Sequence, residues 1–155
     1  VSVTAEENIV PLITTEVKDD ALVIRTTRSY SSLRPAKVEI EMVSLDAIEC
    51  PGSGAIMVTG LKAKDFVASL KGTGQLKAVG TADNVTAELS GSGQIAFKDL
   101  QAKDVKVEMS GTGQAAVYAS KSLEAKLGGA GEISYYGNPA KVVKEATGVG
   151  AITAH

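Results

Sequence analysis

The sequence has no tryptophan, a single cysteine, a single histidine, four prolines, and only two Phe and four Tyr in 155 residues. Each scarcity excludes something. Cys50 alone cannot form an internal disulfide or an all-cysteine metal site. With His155 as the only histidine, a Ser-His-Asp or Cys-His arrangement is available only through that residue. Aromatics at 4% leave the core to Val, Ile, Leu and Ala, which suits thin, regular layers better than an irregular globule. The 16 Lys and Arg are interspersed among 18 Asp and Glu, for a formal charge of −2. Nothing clusters enough cations to neutralise phosphates, so nucleic acid is excluded as a partner. No apolar run approaches the roughly 20 residues of a spanning helix, so the chain carries no membrane span. Val1 to Glu7 has neither the basic start nor the apolar stretch of an export signal. We read the chain, which begins without Met, as a mature or trimmed form from which any such signal has gone.

What is plentiful is glycine. Sixteen residues exceed the usual share of roughly 7%, and their positions repeat. Six triplets occur: Gly52-Ser53-Gly54, Gly72-Thr73-Gly74, Gly91-Ser92-Gly93, Gly111-Thr112-Gly113, Gly129-Ala130-Gly131 and Gly148-Val149-Gly150. Their first glycines are 20, 19, 20, 18 and 19 residues apart. A fixed period of this size marks a solenoid.

Around each triplet the chain alternates with period two, the sign of a strand with one buried face. Before the triplets lie Phe66/Ala68/Leu70, Val85/Ala87/Leu89 and Val105/Val107/Met109, with Ser69, Glu88 and Glu108 between them. After them come Ile56/Val58, Leu76/Ala78, Ile95/Phe97, Ala115/Val117 and Ile133/Tyr135. The expected register stacks Leu70, Leu89, Met109 and Leu127 inside and puts Glu88 and Glu108 outside. A looser third segment runs through Gly60-Leu61-Lys62-Ala63, Asp99-Leu100-Gln101-Ala102 and Gly137-Asn138-Pro139-Ala140.

Two or three short strands in 19–20 residues make one coil. The predicted fold is therefore all-β: a single-stranded, right-handed parallel β-helix. Calcium-binding β-rolls repeat every nine residues with Asp after the glycines, and here Gln or Ala follows. Left-handed hexapeptide helices need an apolar residue every six places and a steady 18-residue coil, which the spacing does not show. The corner glycines permit backbone angles that other residues resist, and the Ser or Thr between them is placed to bond neighbouring backbone. One domain covers 1–155, with an N-terminal cap region over 1–37 and repeats over 38–155. Within the cap, Asn8 to Ile13 suggests a short helical turn, and Ala21 to Ile24 a strand after the Lys18-Asp19-Asp20 turn. Arg28 to Ala36 reads as a loop, and Val38/Ile40/Met42 as the strand that opens the solenoid.

Candidate chemistry is sparse. Cys50 shares the apolar column of Leu70 and Leu89, as an inert buried thiol does. His155 lies at a position where chains are usually mobile. Asp65, Asn84 and Asp104 fall in one column, and Glu49, Glu88, Glu108 and Glu145 in another, interrupted by Ser69 and Lys126. Stacked acids suit calcium or a glycosidase pair. Here Lys62, Lys64 and Lys103 are expected to neutralise the Asp column, and the only arginines, Arg25, Arg28 and Arg34, lie outside the repeats. Gln75, Gln94 and Gln114 form an amide ladder, read as structural. Tyr118 and Tyr136 are the candidate binding patch for sugar or docking, whereas Tyr135 belongs to an inward column.

The Gly-Ser/Thr-Gly series, the Asn8-to-Val17 segment ahead of a short strand, and Tyr135-Tyr136-Gly137-Asn138-Pro139 resemble one family: the head GIN domain of putative auto-transporter adhesins. The resemblance covers essentially the whole chain. It departs at Ala130 and Val149, where the triplet hydroxyl is missing. It implies a right-handed β-helix, export in a Gram-negative bacterium such as a Bacteroidetes species, and a place at the cell surface. It brings no catalytic, cofactor-binding or metal-ligating residues. The expected function is a non-catalytic surface module with an unknown protein or glycan ligand and no cofactor. A pectate lyase-like enzyme and a homo-oligomer assembled through the solenoid ends are the alternatives.

Overall fold

A computed structural model describes residues 1–29 and 37–155, so most of the loop expected over Arg28–Ala36 lies outside the described residues. The chain divides into two units, Val1–Val43 and Ser44–His155.

The first unit holds β1 (Ser2–Thr4), a 3-10 turn (Val10–Leu12), β2 (Ile13–Lys18), β3 (Ala21–Thr26) and β4 (Lys37–Glu39). The helical turn read from Asn8–Ile13 is present. Pro11 sits in its first turn, where a fixed φ helps and no N–H is needed. The Leu12 N–H donates to the Ile9 carbonyl at 2.9 Å, and Ile9 is buried. β2 and β3 form an antiparallel hairpin in which Lys18 faces Ala21. Between them Asp19 and Asp20 both take positive φ, at 50° and 61°. A two-residue turn of that kind matches the twist of a hairpin, and Asp tolerates it better than most residues.

The strand expected over Val38/Ile40/Met42 to open the solenoid is only partly present, as β4, and it does not join the solenoid sheet: it pairs antiparallel with β1, with Val38 opposite Val3. Alternation marks a strand with one buried face and does not tell which sheet it joins.

The second unit holds β5 (Ala47–Cys50), β6 (Gly54–Leu70), β7 (Gly74–Leu89), β8 (Ser92–Met109), β9 (Thr112–Leu127), β10 (Ala130–Tyr136), β11 (Lys141–Ala146) and β12 (Val149–Ala154). All pair in parallel, in the order β5-β6-β7-β8-β9-β10-β12, with β11 on β9. This is a parallel β-solenoid. From β6 to β9 each coil is nearly one continuous strand that bends midway, running almost from triplet to triplet.

The register is the expected one. Cys50, Leu70, Leu89, Met109 and Leu127 form one ladder, the last four no more than 1% exposed. A second ladder runs Ile56–Leu76–Ile95–Ala115–Ile133–Ile152. A one-residue slip would turn all of these outward, so burial of every other residue fixes the pairing. Ladder volumes compensate between coils. The Phe66 and Phe97 rings, from β6 and β8, lie 5.9 Å apart and tilted by 54°, and small Ala78 and Ala87 line the buried face of the coil between them. Among the described residues no polar side chain is buried. In the last coil Lys144 takes an inward column, in register with Ala125. It stays exposed by reaching over the Tyr135 ring, with Nζ 4.6 Å from the centroid.

Coils of unequal length are reconciled at the midway bend. The register shifts between Val58 and Leu61, between Lys77 and Gly80, and between Phe97 and Ala102, while pairing on either side is kept. Gly60 turns this bend with φ +70°, a region that strains any residue with a Cβ.

At the corners the glycines are needed chiefly for clearance. From the third triplet on, the N–H of the middle residue donates to the first glycine one coil back: Ser92 to Gly72 (3.1 Å), Thr112 to Gly91 (2.9 Å), Ala130 to Gly111 (3.0 Å) and Val149 to Gly129 (2.9 Å). The same carbonyl oxygen fills the space a side chain would take. A Cβ on Gly111 would stand 2.8 Å from the Ser90 oxygen and closer still to the Gly91 oxygen. Because the backbone makes these bonds, Ala130 and Val149 replace the hydroxyl residues without losing the rung.

Gly52 and Gly111 are the test pair. No atom lies within 4 Å of a Cβ built on Gly52. Gly111→Ala is expected to lower unfolding free energy by about 1–3 kcal/mol, as overpacking does, with Gly52→Ala close to wild type. Denaturant melts of both variants check this, and equal losses would show that clearance is not the constraint.

Candidate binding face

Each coil presents two outer faces of different chemistry. Before the corner, the outward columns are Val67–Thr86–Lys106–Glu124–Val143 and Ser69–Glu88–Glu108–Lys126–Glu145, with Glu49 one coil ahead of Ser69. Opposite charges sit beside and above one another, and they pair. Lys106 reaches Glu108 at 3.0 Å, Lys126 reaches Glu124 at 3.2 Å and Glu108 at 3.8 Å, and Lys71 reaches Glu49 at 2.6 Å. The Lys106 ammonium, then Lys126, hold the Glu108 carboxyl below its ordinary pKa. These pairs are exposed, and such pairs contribute about 0–1 kcal/mol each.

The column Asp65–Asn84–Asp104–Ser122 is also in register. Asn84 Nδ2 donates to Asp65 Oδ1 at 2.7 Å, and the Ser122 hydroxyl donates to Asp104 Oδ1. Lys103 does not pair with Asp104. It pairs with Asp83 at 2.7 Å, because Ala102 is in register with Ala82, and Lys121 takes Asp104 at 3.3 Å. The Ser122 hydrogen bond, assisted by Lys121, holds the Asp104 carboxyl low. A general acid needs the opposite displacement. Among the described residues no group of His, Cys, Asp or Glu is placed to hold a metal ion.

The face after the corner is different. Its first column is Gln75–Gln94–Gln114–Glu132, its second Lys77–Ala96–Ala116–Ser134–Thr153, and Tyr118 and Tyr136 pair in a third. The three glutamines are exposed and Ala96 and Ala116 half-buried, so the small residues form the floor of a shallow trough. The amides bond along the axis, with Gln75 Nε2 on Gln94 Oε1 at 2.9 Å. The Tyr118 ring leans over the next coil, where a Cβ on Gly137 would stand 3.3 Å from its Cζ. Tyr135, as expected, points inward at 8% exposure.

Sequence reasoning missed His155. Its N–H donates to the Tyr135 carbonyl at 2.9 Å, which continues β12 and sets its ring against Tyr136, centroids 5.2 Å apart and 22° from parallel. The signal was available: Tyr136 to His155 is a 19-residue step, the same as Gly129 to Gly148. A hydroxyl network ties this end together. Thr153 Oγ1 donates to Glu132 Oε1 at 3.0 Å and lies 3.4 Å from His155 Nε2, and Ser134 Oγ donates to Glu132 Oε1 at 3.4 Å.

The laddered columns and continuous coils define a parallel β-solenoid repeat protein. More particularly, the chain belongs to the head GIN domain family of putative auto-transporter adhesins, whose model matches residues 1–139. The crystal structure of a putative adhesin from Bacteroides fragilis is similar over 99% of this chain and 81% of its own, at 26% identity and TM-score 0.79. That of a putative lipid binding protein from Parabacteroides distasonis covers 99% and 82%, at 22% identity and TM-score 0.53, which shows the fold alone. No curated protein matches the chain by sequence. Among the described residues no helix is long and apolar enough to cross a membrane.

Asp104 gives a pH test. A carboxyl with depressed pKa stabilises the fold above its unfolded pKa, and the contribution is lost as pH falls through its folded value. Ser122→Ala should therefore raise the Asp104 pKa toward that of a free aspartate and narrow the acid-side window of lost stability. A carboxyl-carbon NMR titration measures it, and an unmoved Asp104 would show that Ser122 is not the main cause.

Proposed function

We propose that this chain is an exported, non-catalytic binding module that works at the cell surface and meets its ligand on the face after the corner. The observation that carries the reading is the pair Tyr118 and Tyr136. They are half-exposed in adjacent coils, on a face otherwise built of amides, alanines and hydroxyls. Tyrosine supplies contact area with little side-chain entropy to lose, and so recurs at binding surfaces. The charged face before the corner is a poorer candidate, because Glu49, Glu108 and Glu124 are already paired with Lys71, Lys106 and Lys126. Family membership supports a surface role. The downward pKa displacement of Asp104 and Glu108 supports the absence of an acid–base pair.

A self-assembling solenoid has one observation in its favour. Among the described residues β12 pairs on one side only, with β10, and Val149, its first residue, is 82% exposed. Unpaired strand edges invite pairing. Molar mass that rises with concentration in light scattering would favour this reading, and a constant monomer mass would remove it.

Binding and catalysis are tested together. Labelled protein is expected to bind epithelial cell layers or mucin- and matrix-coated wells, with Tyr118→Ala/Tyr136→Ala weakening binding and Glu88→Ala leaving it unchanged. On pectin and related uronates, with or without calcium, no unsaturated product or reducing ends should appear. Turnover that disappears in Asp65→Asn/Asp104→Asn would sink the proposal. Protease treatment of intact cells should remove the chain, and full protection would overturn its surface position.

A further inference from the structure

Resting on that reading, we propose that the trough between the glutamine ladder and the tyrosines binds a linear, uncharged polysaccharide lying along the solenoid axis.

Four observations converge. The first is repetition: Gln75, Gln94 and Gln114 recur in register, as do Ala96 and Ala116 and then Tyr118 and Tyr136. The rungs are about 4.8 Å apart, the spacing of paired strands. A surface that offers the same groups at each rung complements a polymer that offers the same groups at each unit. A folded protein surface does not repeat in that way.

The second is the kind of polar group. Each exposed amide holds two donors and a carbonyl acceptor. Sugar hydroxyls both donate and accept, and a row of amides meets them without requiring charge. The Gln75–Gln94 bond uses one N–H of one amide and the oxygen of the other, leaving further donors and acceptors on both.

The third is charge. The charged groups on this face are Lys77, Glu132 and Lys98, which follows Phe97 on β8 as Tyr118 follows Val117 on β9, so the two cations stand in different columns on different coils. The Glu132 carboxylate already accepts from Thr153 and Ser134. Uronate, sulfate or phosphate polymers need rows of cations, which this trough does not have.

The fourth is shape. Half-buried Ala96 and Ala116 lie lower than the exposed amides, which flank them on β7 to β9, while the aromatic rings flank the line on β9 and β10, so amide, small residue and ring stand side by side on β9. Such a trough admits a chain of sugars, whose C–H faces pack on the rings while their hydroxyls reach the amides. Ser134 and Thr153 extend the floor toward His155, adding hydroxyls where the alanines end.

The test uses the whole chain against soluble polymers of neutral sugars: beta-linked glucans, xylan, mannan and chito-oligosaccharides. Polygalacturonate serves as the charged contrast. Affinity electrophoresis and calorimetry should show binding to at least one neutral polymer and none to polygalacturonate. Tyr136→Ala and Gln114→Ala should each weaken it by about tenfold or more. Glu88→Ala and Lys106→Ala, on the other face, should leave affinity unchanged, and thermal melts of every variant separate lost binding from lost fold. If Tyr136→Ala fails to fold, Gln94→Ala/Gln114→Ala carries the test. Preference for polygalacturonate, affinity untouched by the trough variants, or no neutral polymer bound would overturn the proposal. Cell-layer binding that needs Tyr118 and Tyr136 but survives periodate oxidation of surface sugars would leave the binding module standing while removing the polysaccharide.

Discussion

The structure depends on how closely two backbones approach at the corner. When the N–H of residue 112 bonds the carbonyl of residue 91, the coils come to strand-pairing distance with no room for a side chain between them. That one rung, repeated at four successive corners, sets the pitch of the solenoid. The aliphatic ladders, the outward columns and the alignment of like residues on each face all inherit it. Two strands can meet at this distance with side chains pointing away from the sheet, but a turn between them cannot, because there the Cβ points along the axis. Glycine resolves the conflict by having none.

The repeat was readable in the sequence because the constraint is local and recurs. Alternation gave the inward ladders, since a strand buried on one face has no freedom to vary its period. Three parts were harder to read. The role of the corner glycines was assigned to backbone angles, and only Gly54, Gly113 and Gly131 among them have positive φ. Crowding between coils depends on spacing in three dimensions, which a single repeat does not display. β4 was assigned to the solenoid and instead pairs with β1, because alternation specifies a strand without specifying its neighbour. The pairing of Lys103 with Asp83 was missed although it follows from the same step that puts Asn84 beside Asp104: Asp83 lies one place off the acid column, and its own neighbour across the coil went unread.

The two outer faces show how one fold separates stability from recognition. Before the corner, Glu108 and Glu124 are held by Lys106 and Lys126, which ties up much of the charge on that face. After the corner the columns are mostly neutral, and the aromatic groups stand at the end of the strand, where the bend begins. Tyr118, Tyr136 and His155 mark this boundary. Of the three, only the tyrosines could be singled out by residue type. His155 required the coil length to be carried one step further.

The midway bend has a consequence for how such a chain can change. Because the coil lengths of 18–20 residues are evened out at this bend and, on β8 and β9, just after it, this line along the solenoid is where segments can be gained or lost while the ladders stay aligned. It runs beside the tyrosines. A lengthened bend would rise as a wall along one edge of the trough and alter what fits, without touching a glycine corner or a core residue. Architecture and specificity would then be carried by separate stretches of the same repeat, one held fixed by steric necessity and the other open to drift.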